Sequence, residues 1–248
     1  MRLEGKVAIV TGGGSGFGAG IASKFVAEGA SVIVADRDGP GAVRAATALG
    51  DAAYGLLADV TLAADVKAMV EAAHERFGGL HILVSNAGMG HLPQPLESLD
   101  EDAFDRILAL NVKSIYLAAR EVVPLFKAQQ GGVILNVAST AGVSPRPRLC
   151  WYNASKGWVI TATRAMAVEL APFRIRVVAL NPVAGETPML KTFMGEDTPE
   201  MRAKFLSTIP LGRFSTPADL GNAACFLCSD EASMITGVAM EVDGGRCI

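Results

Sequence analysis

The sequence predicts an α/β chain: a three-layer, doubly wound parallel sheet of seven strands with helices on both faces. Three observations predict it. Short runs rich in Val, Ile and Leu alternate with longer amphipathic stretches six or seven times. Aromatic residues make up only 6% of the chain while glycine contributes 27 residues, a composition suited to helices lying close on a sheet. A glycine cluster, Gly12-Gly13-Gly14-Ser15-Gly16-Phe17-Gly18, falls between the first apolar run and the first helical stretch. A closed eight-stranded barrel is the competing architecture, but it needs an eighth unit and gives the glycine cluster no purpose.

Each element follows from a local pattern. Val7–Thr11 is continuously apolar, as a strand buried on both faces should be. Ile21–Gly29 has helical periodicity, Ser31–Asp36 reads as the second strand, Ala42–Leu49 as a helix and Ala52–Asp59 as the third strand. Ala63–Phe77 is an amphipathic helix ended by Gly78-Gly79, because glycine takes the left-handed conformation that stops a helix. Leu80–Ser85 is the fourth strand, helices follow over Asp102–Leu110 and Ser114–Gln129, and Gly131–Ala138 is the fifth strand. Trp151–Ala171 forms a long helix that Pro172 stops, since proline lacks the N–H to continue it. Arg174–Leu180 is the sixth strand, Ala218–Ser229 a helix and Val238–Asp243 the seventh strand. Residues 188–210 are irregular with helical potential. Right-handed crossovers then put helices on both faces. No linker interrupts the alternation, so residues 1–248 read as one domain with a lid over about 188–210.

Composition narrows the partners. Half the chain is apolar and the net charge is −3, which excludes global disorder and argues against nucleic acid as a partner. The start, Met1-Arg2-Leu3-Glu4-Gly5-Lys6, has no secretory pattern, and no apolar run reaches membrane-spanning length. A cytoplasmic protein with no membrane contact is expected. Cys225 and Cys228 form a CxxC, but Ala223–Cys228 reads as apolar helix without a second ligand pair, so buried thiols are expected and no metal. His74, His81 and His91 lack ligand spacing and read as surface residues.

The glycine cluster carries chemistry. A backbone without side chains can approach a pyrophosphate closely, and the helix N-terminus offers free N–H groups. The pattern is TGxxxGxG, through Thr11, Gly12, Gly16 and Gly18, with Ser15 and Phe17 between. Asp36 ends the second strand eighteen residues after Gly18. A carboxylate there accepts hydrogen bonds from ribose hydroxyls and repels a 2′-phosphate, which favours NAD over NADP. Arg37, next in sequence, could pair with that phosphate and keeps NADP open.

A second constellation lies further on. Ser139 closes the fifth strand, and Tyr152 and Lys156, four apart, share one helix face. A free tyrosine has a pKa of about 10. A nearby ammonium favours the phenolate, so Tyr152 would exchange a proton with an alcohol or carbonyl oxygen while Ser139 holds that oxygen.

Here the sequence closely resembles the short-chain dehydrogenase/reductase family, in its form of roughly 250 residues with a Rossmann fold. The match runs through the chain in order: Thr11–Gly18, then Asp59 with Val60 as the adenine-pocket acid and its neighbour, Asn86-Ala87-Gly88, Asn111, Ser139, Tyr152, Lys156, Asn181-Pro182 and Thr187. The resemblance implies a catalytic set of Asn111, Ser139, Tyr152 and Lys156. Lys156 would also bind the nicotinamide ribose, and Asn111 would hold a relay water. Cofactor contacts are implied at Gly12, Ser15, Gly16, Phe17, Gly18, Asp36, Asp59, Val60, Asn86, Ala87, Gly88, Tyr152, Lys156, Pro182, Val183 and Thr187. It also implies a homotetramer. Two residues depart from the family pattern: Ser85 replaces an asparagine, and Val183 replaces the glycine after the sixth-strand proline, putting a side chain beside the nicotinamide pocket.

The function expected is hydride transfer between NAD(H) and a secondary alcohol or ketone. The alternatives are an NADPH-dependent 3-oxoacyl-carrier-protein reductase and a non-catalytic NAD-binding protein. Met89–Pro95, Ala141–Trp151 and Met189–Pro210 should line the substrate pocket, by analogy with the family. Arg146 and Arg148 flank Pro147 just before Tyr152 and read either as exposed loop arginines or as an anion site. Trp151 reads as a pocket wall or an interface anchor.

Overall fold

Strand β1 (Val7–Thr11) is buried at every position and apolar through Val10, and it lies inside the sheet with β2 (Ser31–Asp36) and β4 (Ile82–Ser85) on either side. The computed structural model describes residues 1–248. With β3 (Ala53–Leu57), β5 (Gly132–Val137), β6 (Ile175–Pro182) and β7 (Ala239–Val242), the strands form one parallel sheet in the order β3-β2-β1-β4-β5-β6-β7. The order reverses between β1 and β4. At such a switch point the loops diverge and leave a crevice at the carboxyl ends of the strands.

Alternate side chains of β1 feed two cores. Ala8 and Val10 pack beneath α1 (Gly16–Ala27), α2 (Gly39–Leu49) and α9 (Pro217–Cys228), among Ile21, Phe25, Ala42 and Leu220. Val7 and Ile9 face the other side, under α3 (Ala63–Phe77), α5 (Ser114–Ala128) and α6 (Cys150–Leu170), among Met69, Val122, Phe126 and Leu170. This two-faced burial is why the strands read as continuous apolar runs. Where α1 crosses α9 the backbones touch: a Cβ on Gly20 would lie 2.3 Å from the Pro217 carbonyl oxygen. Cys225 and Cys228 are buried in this core as free thiols. A box of Thr216 and Asp219, each side chain bonded to the other's backbone, caps α9.

The structure departs from the sequence reading in four places. Helix α1 begins at Gly16, five residues before the apolar periodicity starts, because its first turn faces the crevice and buries no apolar stripe. The expected separate helices over 102–110 and 114–129 are joined: α4 (Glu101–Leu108) runs through a π-turn, Ala109–Lys113, into α5. The 188–210 segment contains two short helices, α7 (Leu190–Met194) and α8 (Pro199–Leu206). Of the histidines, only His74 is exposed. His81 is half-buried because its Nδ1 accepts the Val7 N–H at 2.9 Å at the amino-terminal end of β1, and His91 is buried beside the Leu92 carbonyl. No helix is long and apolar enough to cross a membrane.

Candidate active site

The crevice at the switch point is floored by the β1–α1 loop. Thr11 ties it down: its hydroxyl donates to the Val84 carbonyl at 3.1 Å and accepts from the N–H groups of Asn86 at 3.0 Å and Ala87 at 3.1 Å. Asn86 closes the link from the other side, donating from Nδ2 to the Thr11 and Gly12 carbonyls at 2.9 and 3.1 Å. Gly12, Ser15, Gly16 and Phe17 line the crevice, with Asn86, Ala87 and Gly88 opposite. Gly18 does not line it. A Cβ at Gly18 would lie 2.1 Å from the Gly12 carbonyl oxygen, so this glycine lets α1 seat against the loop.

Two acids mark one end of the crevice. Asp36 accepts the N–H groups of Gly14 and Asp38, both at 3.0 Å, which holds its carboxylate at the tip of β2. Asp59 accepts from the Thr61 N–H at 2.9 Å and hydroxyl at 2.7 Å. Both line the crevice, as do Arg37, Ala58 and Val60. A glycine-floored channel with N–H donors at a helix start and a fixed carboxylate at the tip of the second strand suits a dinucleotide, so the residues present fit that group.

At the other end, β5 and α6 bring Ser139, Tyr152 and Lys156 into the same crevice. Tyr152 is 6% and Lys156 5% exposed. The Lys156 ammonium donates to the Val137 carbonyl at 2.9 Å, and Ser139 accepts the Ala141 N–H at 3.1 Å. Burial dominates the electrostatics. It pushes Tyr152 up to about 12 and Lys156 down to about 8, because both charged forms lose water. The groups that pull Tyr152 back are Ser139 and Arg146. The sequence reading assigned that role to Lys156, which is not among the protein groups that lower the Tyr152 pKa.

Asn111 lies just beyond the crevice lining. The π-turn aims its side chain at the β4–α4 loop, where Oδ1 accepts the Met89 N–H and Nδ2 donates to the Met89 carbonyl, both at 2.9 Å. Nδ2 also reaches the Ser155 hydroxyl at 3.0 Å on α6. Gly88 sits between Asn111 and Lys156; a Cβ there would lie 3.3 Å from Asn111 Oδ1 and from Lys156 Nζ.

The 188–210 segment packs on this end. Phe193 of α7 lies 4.9 Å, centroid to centroid, from the Tyr152 ring. Pro182, Val183 and Thr187 line the crevice below it. Val183 is buried and joins Leu190, Met194, Phe205, Ile209 and Phe214 in a small separate core. Its side chain therefore ties the 188–210 segment to the end of β6. The other departure, Ser85, buries a hydroxyl with no hydrogen-bond partner. Of the two loop arginines, Arg146 lines the crevice and Arg148 is exposed outside it. Trp151 is not a pocket wall: it packs edge-on against Phe104 at 5.4 Å and donates to the Leu96 carbonyl at 2.9 Å. Phe205 also lines the crevice. It lies within the Met189–Pro210 segment expected to line the pocket, and the turn between α7 and α8 brings it over the loop before α6.

The fold agrees with comparisons to known proteins. A family model described as enoyl-(acyl carrier protein) reductase matches residues 12–246. The 4-formylbenzenesulfonate dehydrogenase of Comamonas testosteroni is 51% identical over 252 residues, spanning 100% of both chains. The 2-(S)-hydroxypropyl-CoM dehydrogenase 3 of Xanthobacter autotrophicus is 40% identical over 249 residues, covering 98% of this chain and 97% of its own. A crystal structure described as 3-ketoacyl-(acyl-carrier-protein) reductase from Brucella melitensis complexed with NADH superposes with a TM-score of 0.95 at 56% identity, over 99% of this chain and 100% of that one. The chain is an oxidoreductase acting on CH–OH donors, with NAD(P) as the cofactor class. It belongs to the short-chain dehydrogenase/reductase family.

Proposed function

We propose that the protein transfers hydride between NAD(H) and a secondary alcohol or ketone, with Tyr152 as general acid–base. The observation that carries this reading is that Ser139, Tyr152 and Lys156 open into the same crevice as the glycine loop and Asp36. When bound, the oxidised nicotinamide supplies a hydride acceptor and a positive charge. As the carbinol C–H leaves as hydride, the O–H proton passes to Tyr152, and the alcohol becomes a ketone. Ser139 holds the substrate oxygen, and the Lys156 ammonium stabilises the phenolate. Asn111 Oδ1 and Lys156 Nζ face one gap beside Gly88, a place for a bridging water that carries the proton onward.

NAD is favoured over NADP because Asp36 presents a fixed carboxylate where a 2′-phosphate would lie. The NADH in the Brucella structure supports the same choice. Residues 188–210 act as the lid, since they place Phe193 on Tyr152. Exposed Tyr116 on α5 and exposed Trp158 and Val168 on α6 support a homotetramer, in which such apolar faces are covered. A cytoplasmic location accords with the sequence pattern.

The name of the Brucella relative favours one second reading, a 3-oxoacyl-carrier-protein reductase. One experiment separates the two. Absorbance at 340 nm is followed with NAD+ and NADP+ across secondary alcohols, and with NADH and NADPH across ketones and 3-oxoacyl thioesters. NAD+-linked alcohol oxidation supports the main reading; turnover confined to NADPH and thioesters supports the second. No turnover with any pair points to the non-catalytic binder and refutes both.

A further inference from the structure

Arg146 is the one charged group at the substrate end of the crevice besides Lys156. The acids that line the crevice, Asp36 and Asp59, stand at the tips of β2 and β3. Three strand spacings separate β2 from β5, or about 14 Å at ~4.8 Å per strand. At that range solvent screening leaves little attraction. The guanidinium stacks on the Phe205 ring, 4.3 Å from its centroid, which fixes its plane and leaves its N–H edge without a protein acceptor.

A second arginine stands behind it. Arg246, in the C-terminal tail, donates to the Ser144 hydroxyl at 3.2 Å, two residues before Arg146, and its buried Nε has no partner. The carboxylate nearest in sequence, Asp243, is already engaged by the N–H groups of Gly245 and Cys247. Burial and the Arg246 charge both lower the pKa of Arg146. Neither guanidinium makes a salt bridge; two such neighbouring groups repel each other, and an anion relieves that repulsion.

We propose that Arg146, backed by Arg246, binds an anionic group of the substrate, so that the substrate is an alcohol or ketone with an apolar body and a carboxylate or sulfonate at its far end. Phe193, Leu149 and Met189 line the space for that body. The proposal rests on the oxidoreductase reading above and specifies its substrate class. Arg148, exposed outside the crevice, takes no part.

The test uses two ketones of equal shape, 4-acetylbenzoate and neutral 4-acetylbenzamide. Their affinities for the protein with NAD+, a pair that cannot react, are measured by titration calorimetry. The expected result is a preference for the carboxylate of about ten-fold or more, the range of one charge-assisted pair. Arg146→Met brings the ratio of affinities close to one, and Arg146→Lys restores part of it. Arg246→Met, a second variant that leaves the Phe205 stack in place, lowers the ratio by about three-fold. Equal affinities in the wild type, no binding of either ketone, or a preference that survives Arg146→Met would each overturn the proposal. Failure of the oxidoreductase reading shows separately, as absence of NAD+ reduction with neutral alcohols.

Discussion

Replacing Lys156 by methionine should stabilise the fold while disabling it. The Lys156 ammonium is buried, and burial lowers its pKa from 10.5 in free solution to about 8 in the protein. A base whose pKa falls on folding binds its proton less tightly in the folded chain. Between pH 8 and 10.5 the unfolded chain therefore holds more protons, and stability rises with pH through that window. Below pH 8 the full penalty is present. At ~1.36 kcal/mol per pKa unit it amounts to about 3.4 kcal/mol. Methionine keeps the length and apolar stem but carries no charge. The variant also loses the bond to the Val137 carbonyl, a cost of about 1 kcal/mol. The balance is a gain of about 2 kcal/mol at pH 7, or a Tm about 4–8 °C higher in a chain of this size. Thermal unfolding of both proteins at pH 7, 8, 9 and 10, alongside alcohol oxidation, reads the two effects. The gap in Tm should shrink as pH rises while activity stays lost at every pH. A Tm at pH 7 equal to or below that of the wild type, or a gap independent of pH, would refute the burial argument.

Four further outcomes follow from the same geometry. Tyr152→Phe keeps the ring packed on Phe193 but removes the proton carrier, so kcat should fall by at least ~10²-fold with NADH binding retained in fluorescence titration; near-normal turnover would disprove the role. Since burial raises the Tyr152 pKa and oxidation needs the phenolate, kcat/KM for alcohol oxidation should climb with pH across the neutral and alkaline range, while ketone reduction stays flat there. A bell centred near pH 6 would contradict this. Asp36→Asn removes the repulsion of a 2′-phosphate and should lower the NAD-to-NADP ratio of kcat/KM by about ten-fold or more, read in parallel initial rates. Gly20→Ala drives a methyl into the Pro217 carbonyl at the α1–α9 crossing and should cost about 1–3 kcal/mol in chemical denaturation; a neutral result would mean that the helices can part there freely.

Much of the site was legible because its signals are local. A strand, a glycine turn and a helix follow one another in Val7–Ala27, so the loop that floors the crevice needs no long-range information. Tyr152 and Lys156 lie one helical turn apart, and any helix puts them on one face. Other features have no local signal. The π-turn that aims Asn111 at Met89 is set by the packing of α4 and α5 on their neighbours, and it hid inside what reads as a gap between two helices. The histidines were misplaced because His81 answers an unpaired N–H on another strand, 74 residues away.

The sequence by itself determined the parallel α/β architecture, the glycine loop, Asp36 and the spacing of the serine, tyrosine and lysine. These rest on periodicity and backbone conformation, which act over a few residues. The tertiary structure alone decided the environment of those residues. It buried Tyr152 and Lys156 enough to move their pKa values by desolvation, it set Arg146 into the crevice while leaving Arg148 in solvent, and it folded Phe193 onto Tyr152 and Phe205 onto Arg146. The physical reason is that desolvation and charge pairing depend on everything within several ångströms of a group, and that neighbourhood is assembled from segments far apart in the chain.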